Sequence, residues 1–223
     1  MSDDAPTAAE LDALVTFLQA DGERRSTSVA RKLHDELGGS VIGAMMDVAW
    51  IEQHETKLPP DTALRLARVN DGLRGAIDLT RKIVEELRPT LLDSMGLFAA
   101  LSWQFRLGSK QAGIKYTEHF PALAPEMDAH RLIILFRIAQ ELFNLALQRE
   151  SLSTLALAVT VKDGALRLQM SMDGKQPVPA EGRQSISVPM LSILHRVRQL
   201  KGDAAITSAP DGGAIFCVTI AVD

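Results

Sequence analysis

The chain has 223 residues, of which 46% are hydrophobic, 23% charged and 4% aromatic. This composition is typical of a globular protein with one large domain or two small ones, and it excludes a disordered chain. Lys and Arg number 24 against 28 Asp and Glu, a formal net charge of −4, which argues against nonspecific nucleic-acid binding because that relies on surplus basic residues. The single cysteine, Cys217, excludes an internal disulfide and a multi-thiolate zinc site, and we expect no metal site.

The N-terminal residues Met1–Asp4 are acidic and are not followed by the apolar core of a signal peptide. No apolar run approaches the roughly 18 to 20 residues that a membrane-spanning helix needs. We therefore expect a cytoplasmic protein that binds neither a membrane nor nucleic acid.

Two long helices are predicted for the first half of the chain. Between about Ala8 and His54, apolar residues recur in two groups at steps of three and four, which places each group on one side of a helix. These residues are Leu11, Leu14, Val15, Leu18, Val29, Leu33, Leu37, Val41, Met45 and Val48. Pro59 and Pro60 separate this helix from a second one, which ends near Pro89.

Each predicted helix carries a single apolar stripe, which a lone hairpin cannot bury fully. The simplest solution is a homodimer in which two hairpins form a four-helix bundle. The alternative is that the stripes pack on the C-terminal half of the same chain.

Helices and strands are mixed in the second half. Helices are predicted over about 97–111, 128–148 and 189–201, and strands over about 114–117, 155–161 and 166–170. Two further strands close the chain and turn at Asp211-Gly212-Gly213. This mixture of helices and hairpin strands predicts an α/β sandwich.

Four segments of the chain resemble histidine kinases of the nitrate/nitrite-sensor type. Val29–Gly38 resembles the phosphoacceptor box of that class, and Leu87–Leu101 the stretch that joins its dimerisation hairpin to its ATP-binding domain. Phe136–Glu141 is similar to the beginning of the asparagine box, and Ser208–Gly213 to the last glycine turn. The four segments occur in the order and at the spacing of that family.

The resemblance implies the fold class α + α/β. Residues 1–92 are expected to form the dimerisation and phosphoacceptor hairpin, as a dimeric four-helix bundle. Residues 93–223 are expected to form a degenerate ATP-binding α/β sandwich of the histidine-kinase, or Bergerat, type.

The first segment places His34 beside two carboxylates. In a regular helix His34 is rotated about 100° from the stripe residue Leu33, so its ring faces away from the core. Asp35 and Glu36 can orient the ring or accept its proton. An isolated His-Asp pair is more often only part of a solvated helix surface, but within this box a phosphoacceptor role is favoured. The expected catalytic group is therefore His34, Asp35 and Glu36.

The residues around this group fit an approaching partner. Arg31 and Lys32 can offset the charge of a phosphoryl group, and Gly38 and Gly39 leave the surface beside the imidazole without side chains. Gly39 also stands where kinases of this class usually have a glutamine that positions water for phosphatase action. Phosphatase activity is therefore not expected.

The ATP-binding segments depart from the family pattern. Counted from Glu141, the magnesium-binding asparagine of the family falls on Leu145, whereas Asn144 is one residue earlier and so on another face of its helix. The aspartate that binds adenine falls on Met172, which is followed by Asp173 and Gly174.

Glycines that approach phosphate are also missing. The second glycine of the adenine motif is replaced by Gln176, and the next glycine-rich motif falls on Pro189 and Ser192. Because side chains prevent the backbone from cradling phosphates, we expect a degenerate nucleotide site that does not bind ATP. No cofactor is expected; ATP and Mg²⁺ would be used only by a nucleotide site that still functions, and Mg²⁺ otherwise belongs to the receiver partner.

This combination resembles histidine phosphotransferases that arose from kinases. The resemblance implies that His34 relays a phosphoryl group to and from receiver-domain aspartates of response regulators, with a sensor kinase as a further possible partner. Two alternatives stay open. One is an active ATP-dependent histidine kinase with a divergent nucleotide site, and the other is a non-enzymatic pseudokinase that sequesters a response regulator or a kinase.

Overall fold

The computed structural model describes residues 7–55, 58–174, 187–209 and 213–222. The chain divides into two compact units between Thr90 and Leu91. The sequence had placed this boundary two residues later, after residue 92. Gln176, which was expected in the adenine motif, lies outside the described residues. So do Asp211 and Gly212, which were expected in the last glycine turn. No helix within the described ranges is long and apolar enough to cross a lipid bilayer.

The first unit is a helical hairpin. Its first arm is continuous and consists of helix α1 (Ala8–Lys32), a π-helical segment (Leu33–Gly38) and helix α2 (Gly39–His54). Its second arm is helix α3 (Pro60–Leu87), which packs along all three parts of the first arm. The sequence predicts a single regular helix over the first arm, so the π-helical segment is a difference that the structure reveals.

Helix starts in this hairpin are encoded locally. The Thr7 hydroxyl accepts a hydrogen bond from the Glu10 amide at 3.3 Å, and the Glu10 carboxylate accepts one from the Thr7 amide at 2.7 Å. This reciprocal capping box satisfies amides that the first turn leaves free. Helix α3 begins with Pro60, whose missing amide is not needed at this position.

A single hairpin buries little of its apolar surface. Among the described residues of the first unit that belong to helices, the side chains that are buried are Ala30, Val48, Thr80 and Val84. Large apolar side chains on both arms are each at least 45% exposed, namely Leu11, Leu14, Phe17, Leu18, Val29, Leu37, Ile42, Met46, Trp50, Leu64, Val69 and Leu79. Exposed apolar surface of this extent marks an interaction site.

The second unit consists of helices and one mixed sheet. Its helices are α4 (Thr90–Ala112), which begins at the last residue of the first unit, α5 (Ala129–Leu147) and α6 (Val188–Gln199). Its strands are β1 (Lys115–His119), β2 (Thr154–Lys162), β3 (Ala165–Met172), β4 (Asp203–Ser208) and β5 (Ala214–Ala221). The strand order is β1-β2-β3-β5-β4, with β1 and β2 parallel and the other neighbours antiparallel.

The strands alternate between a buried and a more exposed face. On β2, Leu155, Leu157 and Val159 are buried, while the residues between them are only partly buried. These side chains join a core supplied by α4, α5 and α6, in which the rings of Phe105 and Phe143 stack with centroids 4.5 Å apart. The helical first unit followed by this mixed sheet with its helices confirms the predicted α + α/β class.

Two backbone features follow from glycine. The β2–β3 turn has positive φ at Asp163 (51°) and Gly164 (72°), the geometry that matches the twist of a two-residue hairpin. Helix α4 is kinked at Gly96, where φ is 81° and ψ is 177°. Residues with a Cβ rarely adopt this conformation, so the two halves of α4 change direction at this glycine.

The carboxylate of Asp173 holds the beginning of β2. It accepts hydrogen bonds from the amides of Ser153 at 2.8 Å and Thr154 at 2.9 Å, and from the Ser153 hydroxyl. Burial by itself would raise the pKa of Asp173, but these hydrogen bonds outweigh it and lower the pKa to about 2. The ionised carboxylate therefore stabilises the folded second unit.

We expect Asp173→Ala to lower the free energy of unfolding by about 1–3 kcal/mol at neutral pH, because two amides lose their acceptor. Since the folded pKa lies below the ordinary value, this stabilisation is present above about pH 4 and is lost as the pH falls towards 2. Urea unfolding followed by circular dichroism between pH 7 and pH 3 measures this difference. The difference in the free energy of unfolding between variant and wild type should become smaller below pH 4. The exposed Asp203→Ala serves as the control, and a gap that is constant with pH would contradict the assignment.

Candidate phosphoacceptor site and nucleotide positions

His34 lies in the π-helical segment between α1 and α2. In a π turn the backbone hydrogen bonds join residues five apart, so each hydrogen-bonded ring contains one residue more than in an α-helix. Such turns are rare and occur often at functional sites. The signal available in the sequence was the pair Gly38-Gly39, which weakens a regular helix without specifying which irregular form replaces it.

The wider turn changes the surroundings of His34. In an α-helix the residues one turn beyond His34 would be Leu37 and Gly38, whereas the i to i+5 spacing of a π turn shifts Gly39 towards that position. A Cβ on Gly39 would meet no atom within 4 Å, and one on Gly38 would meet only the Leu33 carbonyl oxygen, at 3.8 Å. The space that side chains at Gly38 and Gly39 would occupy is therefore nearly free of other atoms.

The end of the π turn is fixed by one carbonyl group. The Glu36 carbonyl oxygen accepts hydrogen bonds from the Gly39 amide and, at 2.7 Å, from the Ser40 hydroxyl. A serine hydroxyl that bonds back to the preceding turn competes with regular helix geometry and often bends a helix. Ser40 therefore contributes to holding the irregular turn beside His34.

The charged neighbours of His34 are all exposed. His34, Asp35 and Glu36 lie on the π turn, and Arg31 and Lys32 lie on the last turn of α1. In the part of the chain that the structure describes, no hydrogen bond joins the Asp35 carboxylate to the His34 ring. The structure thus brings the five residues together on one turn of exposed helix, and it leaves their side chains available to a partner.

Glu141, on α5, is tied to α6. Its Oε1 accepts a hydrogen bond from the Ser192 hydroxyl at 3.2 Å and lies 3.2 Å from the Arg196 guanidinium. This ion pair is largely shielded from solvent, since the Arg196 side chain is 12% exposed and the Glu141 side chain 24%. Ser192 stands where a phosphate-binding glycine was expected, and here it joins two helices. Pro189 occupies the first turn of the same helix.

The remaining nucleotide positions do not fit ATP and Mg²⁺. Asn144 is exposed, whereas Leu145 is partly buried against the hydrophobic core, so the two face different sides of α5. Met172 is 4% exposed in that core and offers no acceptor for an adenine amino group. Asp173 is engaged by β2, and Gly174 follows it with a φ of 115°. No group of three or more His, Cys, Asp or Glu side chains that could hold a metal ion occurs within the described ranges.

The sequence matches known proteins along most of its length. Residues 23–92, which include the phosphoacceptor box, match a family described as "Histidine kinase". The sensor histidine kinase MctS of Rhizobium johnstonii is 28% identical over 166 residues, which cover 74% of this chain and 36% of MctS. The nitrate/nitrite sensor protein NarX of Escherichia coli is 26% identical over 200 residues, which cover 88% of this chain and 32% of NarX. The chain thus spans about a third of the length of these relatives.

Solved structures show the same fold. The histidine kinase domain of the blue-light-activated histidine kinase EL346 of Erythrobacter litoralis superimposes with a TM-score of 0.52 at 14% sequence identity. The match covers 89% of this chain and 94% of that domain. The matched phosphoacceptor segment, the sequence relatives and the shared fold together support a histidine kinase family of the nitrate/nitrite-sensor type as the one that this chain resembles.

Proposed function

We propose that this protein is a histidine phosphotransferase, in which His34 exchanges a phosphoryl group with aspartates of response-regulator receiver domains. The family that it resembles acts in two-component signalling. The observation that carries the proposal is an exposed histidine on an open π turn, combined with nucleotide positions that have lost their ligands. His34, Asp35, Glu36, Arg31 and Lys32 are the proposed functional residues.

The proposed chemistry is a transfer between two high-energy groups. A ring nitrogen of neutral His34 attacks the phosphorus of the receiver acyl phosphate, a nitrogen–phosphorus bond forms, and the bond to the aspartate oxygen breaks. The receiver aspartate leaves as a carboxylate. Asp35 orients the imidazole and accepts the proton from its other nitrogen, and Arg31 and Lys32 offset the phosphoryl charge. Because both groups are of similar energy, the transfer is reversible and needs mainly alignment.

The residues at the nucleotide positions favour a phosphoryl donor other than ATP. Glu141 is occupied by Ser192 and Arg196, and Leu145 and Met172 pack in the hydrophobic core. A phosphoryl group that does not come from ATP has to come from another phosphoprotein. Phosphorylated receivers and phosphorylated kinases of two-component systems are such donors.

A homodimer formed by the helical hairpins is part of the proposal. The apolar residues that a single hairpin leaves at least 45% exposed lie along both of its arms. Two hairpins packed as a four-helix bundle would bury them. We further propose that the protein acts in the cytoplasm, without nucleic acid or membrane as a partner.

We expect His34→Gln to abolish labelling of the chain by phosphorylated receivers without loss of helix content, because the side chain is exposed. The label on the wild type should be acid-labile and base-stable. His54→Gln, which changes an exposed histidine on α2, is the matched control and should keep the label. Asp35→Asn should slow transfer by about 10²-fold, the usual size of a lost acid–base contribution. A panel of phosphorylated receivers from the same cell that leaves no such label would contradict phosphotransfer and favour sequestration.

Isothermal titration calorimetry should detect no binding of ATP with Mg²⁺ at sub-millimolar nucleotide, because the positions of Leu145 and Met172 offer no polar ligand. Incubation with γ-labelled ATP should leave the chain unlabelled. Micromolar affinity would contradict the proposed absence of ATP binding, and label on His34 from ATP alone would favour the active-kinase alternative.

Leu79→Glu should convert the dimer to a monomer, because it places a charge on apolar surface that the bundle would bury. Light scattering measures the mass, and circular dichroism should show that the hairpin stays helical since Leu79 is 58% exposed in one copy. Thr62→Glu adds the same charge at an exposed polar position of α3 and should leave the dimer intact. A wild-type chain that is monomeric at micromolar concentration would disprove the dimer.

A further inference from the structure

The side of the first arm that packs on α3 carries apolar residues at α-helical spacing. Ala30 and Val48 are buried there, and Val41 between them is half-buried. Ala30 precedes Val41 by eleven residues, about three α-helical turns, and Val48 follows Val41 by seven, about two turns. A continuous α-helix through residues 33–38 would therefore keep all three residues on this inner side.

Leu37 has the spacing of this inner side but does not lie on it. It follows Ala30 by seven residues and precedes Val41 by four, so a continuous α-helix would place it beside them. In the structure Leu37 is 45% exposed, whereas Gly38 is half-buried. The π turn thus directs an apolar side chain outward, and a glycine takes the more shielded position.

Two registers of the turn are therefore compatible with the same hairpin. We call the observed arrangement the π register, and a continuous α-helix with Leu37 on the inner side the α register. The backbone at both ends of the π segment already has α-helical angles, with φ and ψ of −60° and −43° at Lys32 and of −59° and −45° at Gly39. Conversion therefore changes dihedral angles within the segment and leaves the inward residues on either side of it in place.

Burial of Leu37 does not by itself select the π register. In the α register Leu37 would lie beside Ala30 and Val41 on the inner side of the arm. In the π register it is one of the exposed apolar residues that the proposed dimer would bury. Both environments are apolar, so a contact elsewhere in the turn has to decide between the two registers.

Ser40 makes a contact that favours the π register. Its hydroxyl donates to the Glu36 carbonyl oxygen at 2.7 Å, and the same oxygen accepts the Gly39 amide, three residues on. In a regular α-helix a carbonyl accepts from the amide four residues on. Because a serine hydroxyl that bonds back to the preceding turn competes with that regular bond, it stabilises an irregular turn.

We propose that Ser40 is a positioning residue for phosphotransfer, which acts by holding the phosphoacceptor turn in the π register. This inference rests on the proposed function. In the π register Gly39 lies towards His34 and the space beside Gly39 is free of other atoms, whereas the α register turns Gly39 away. Ser40 does not contact the transferred group, and its effect passes through the turn to the side of His34 that a receiver approaches.

Nuclear magnetic resonance of the full chain measures the register through the carbonyl carbon of Leu33. This carbonyl accepts from the Gly38 amide in the π register and from the Leu37 amide in the α register, and the Ser40 hydroxyl does not bond to it. Ser40→Ala should move the Leu33 chemical shift, because the ratio of the two registers changes several-fold when one hydrogen bond is lost. Ser40→Thr keeps a hydroxyl and should retain the wild-type shift.

Thr16→Ala is the matched control for this measurement. The Thr16 hydroxyl donates to the Asp12 carbonyl oxygen at 2.9 Å, which is the same kind of bond on an exposed part of α1. Its removal should leave the Leu33 chemical shift unchanged.

Transfer of a phosphoryl group from a phosphorylated receiver to His34 should be several-fold slower in Ser40→Ala and normal in Ser40→Thr and Thr16→Ala. Leu37→Gln removes the apolar side chain that the α register would bury, so it should restore most of the rate when it is combined with Ser40→Ala. Light scattering ensures that the variants are compared as the same oligomer.

An unchanged Leu33 chemical shift in Ser40→Ala would overturn the proposal, and so would a changed shift with an unchanged transfer rate. The chemical shifts are measured without a receiver. A wild type that no receiver labels, but whose Leu33 shift responds to Ser40→Ala, would therefore overturn the proposed phosphotransfer and support control of the register by Ser40.

Discussion

Two antiparallel helices share only one line of contact, and this limits what a hairpin can bury. In the first unit that line takes up residues such as Val48 and Val84, while Leu37, Met46 and Leu79 remain exposed. The same limit leaves His34 on an exposed turn instead of in a core. The apolar surface and the exposed histidine thus have a common origin in the shape of the hairpin. The proposed dimer uses the apolar surface, and the proposed phosphotransfer uses the exposed histidine.

The phosphoacceptor turn shows how a small change of backbone defines a functional surface. The i to i+5 spacing of the π turn shifts Gly39, next to Gly38, towards the face of His34, and the Glu36 carbonyl oxygen, with two donors, holds the end of that turn. A regular helix with the same sequence would keep the imidazole exposed but would turn Gly39 away from it. The open side of His34 is therefore a property of the π turn as much as of the residues in it.

Most of the fold could be predicted from hydrophobic periodicity and turn residues. The two arms of the hairpin and the strands around Lys162-Asp163-Gly164 follow from local patterns that tertiary packing does not override. The π turn could not be predicted, because glycine permits several irregular turns and does not select one. The role of Asp173 was also missed, since its partners Ser153 and Thr154 lie about twenty residues earlier in the chain and meet it only across the sheet.

In the second unit, polar residues at the positions expected to bind nucleotide make structural contacts, and this limits which substitutions there the fold can accept. Met172 is 4% exposed, so a carboxylate introduced there would lie in the hydrophobic core, while the adjacent Asp173 already holds the beginning of β2. Release of Glu141 would separate α5 from its partners on α6. Each single step towards an ATP site would therefore weaken the fold before any activity is gained. The stability of the fold is therefore itself a constraint on which activities single substitutions in this unit can add.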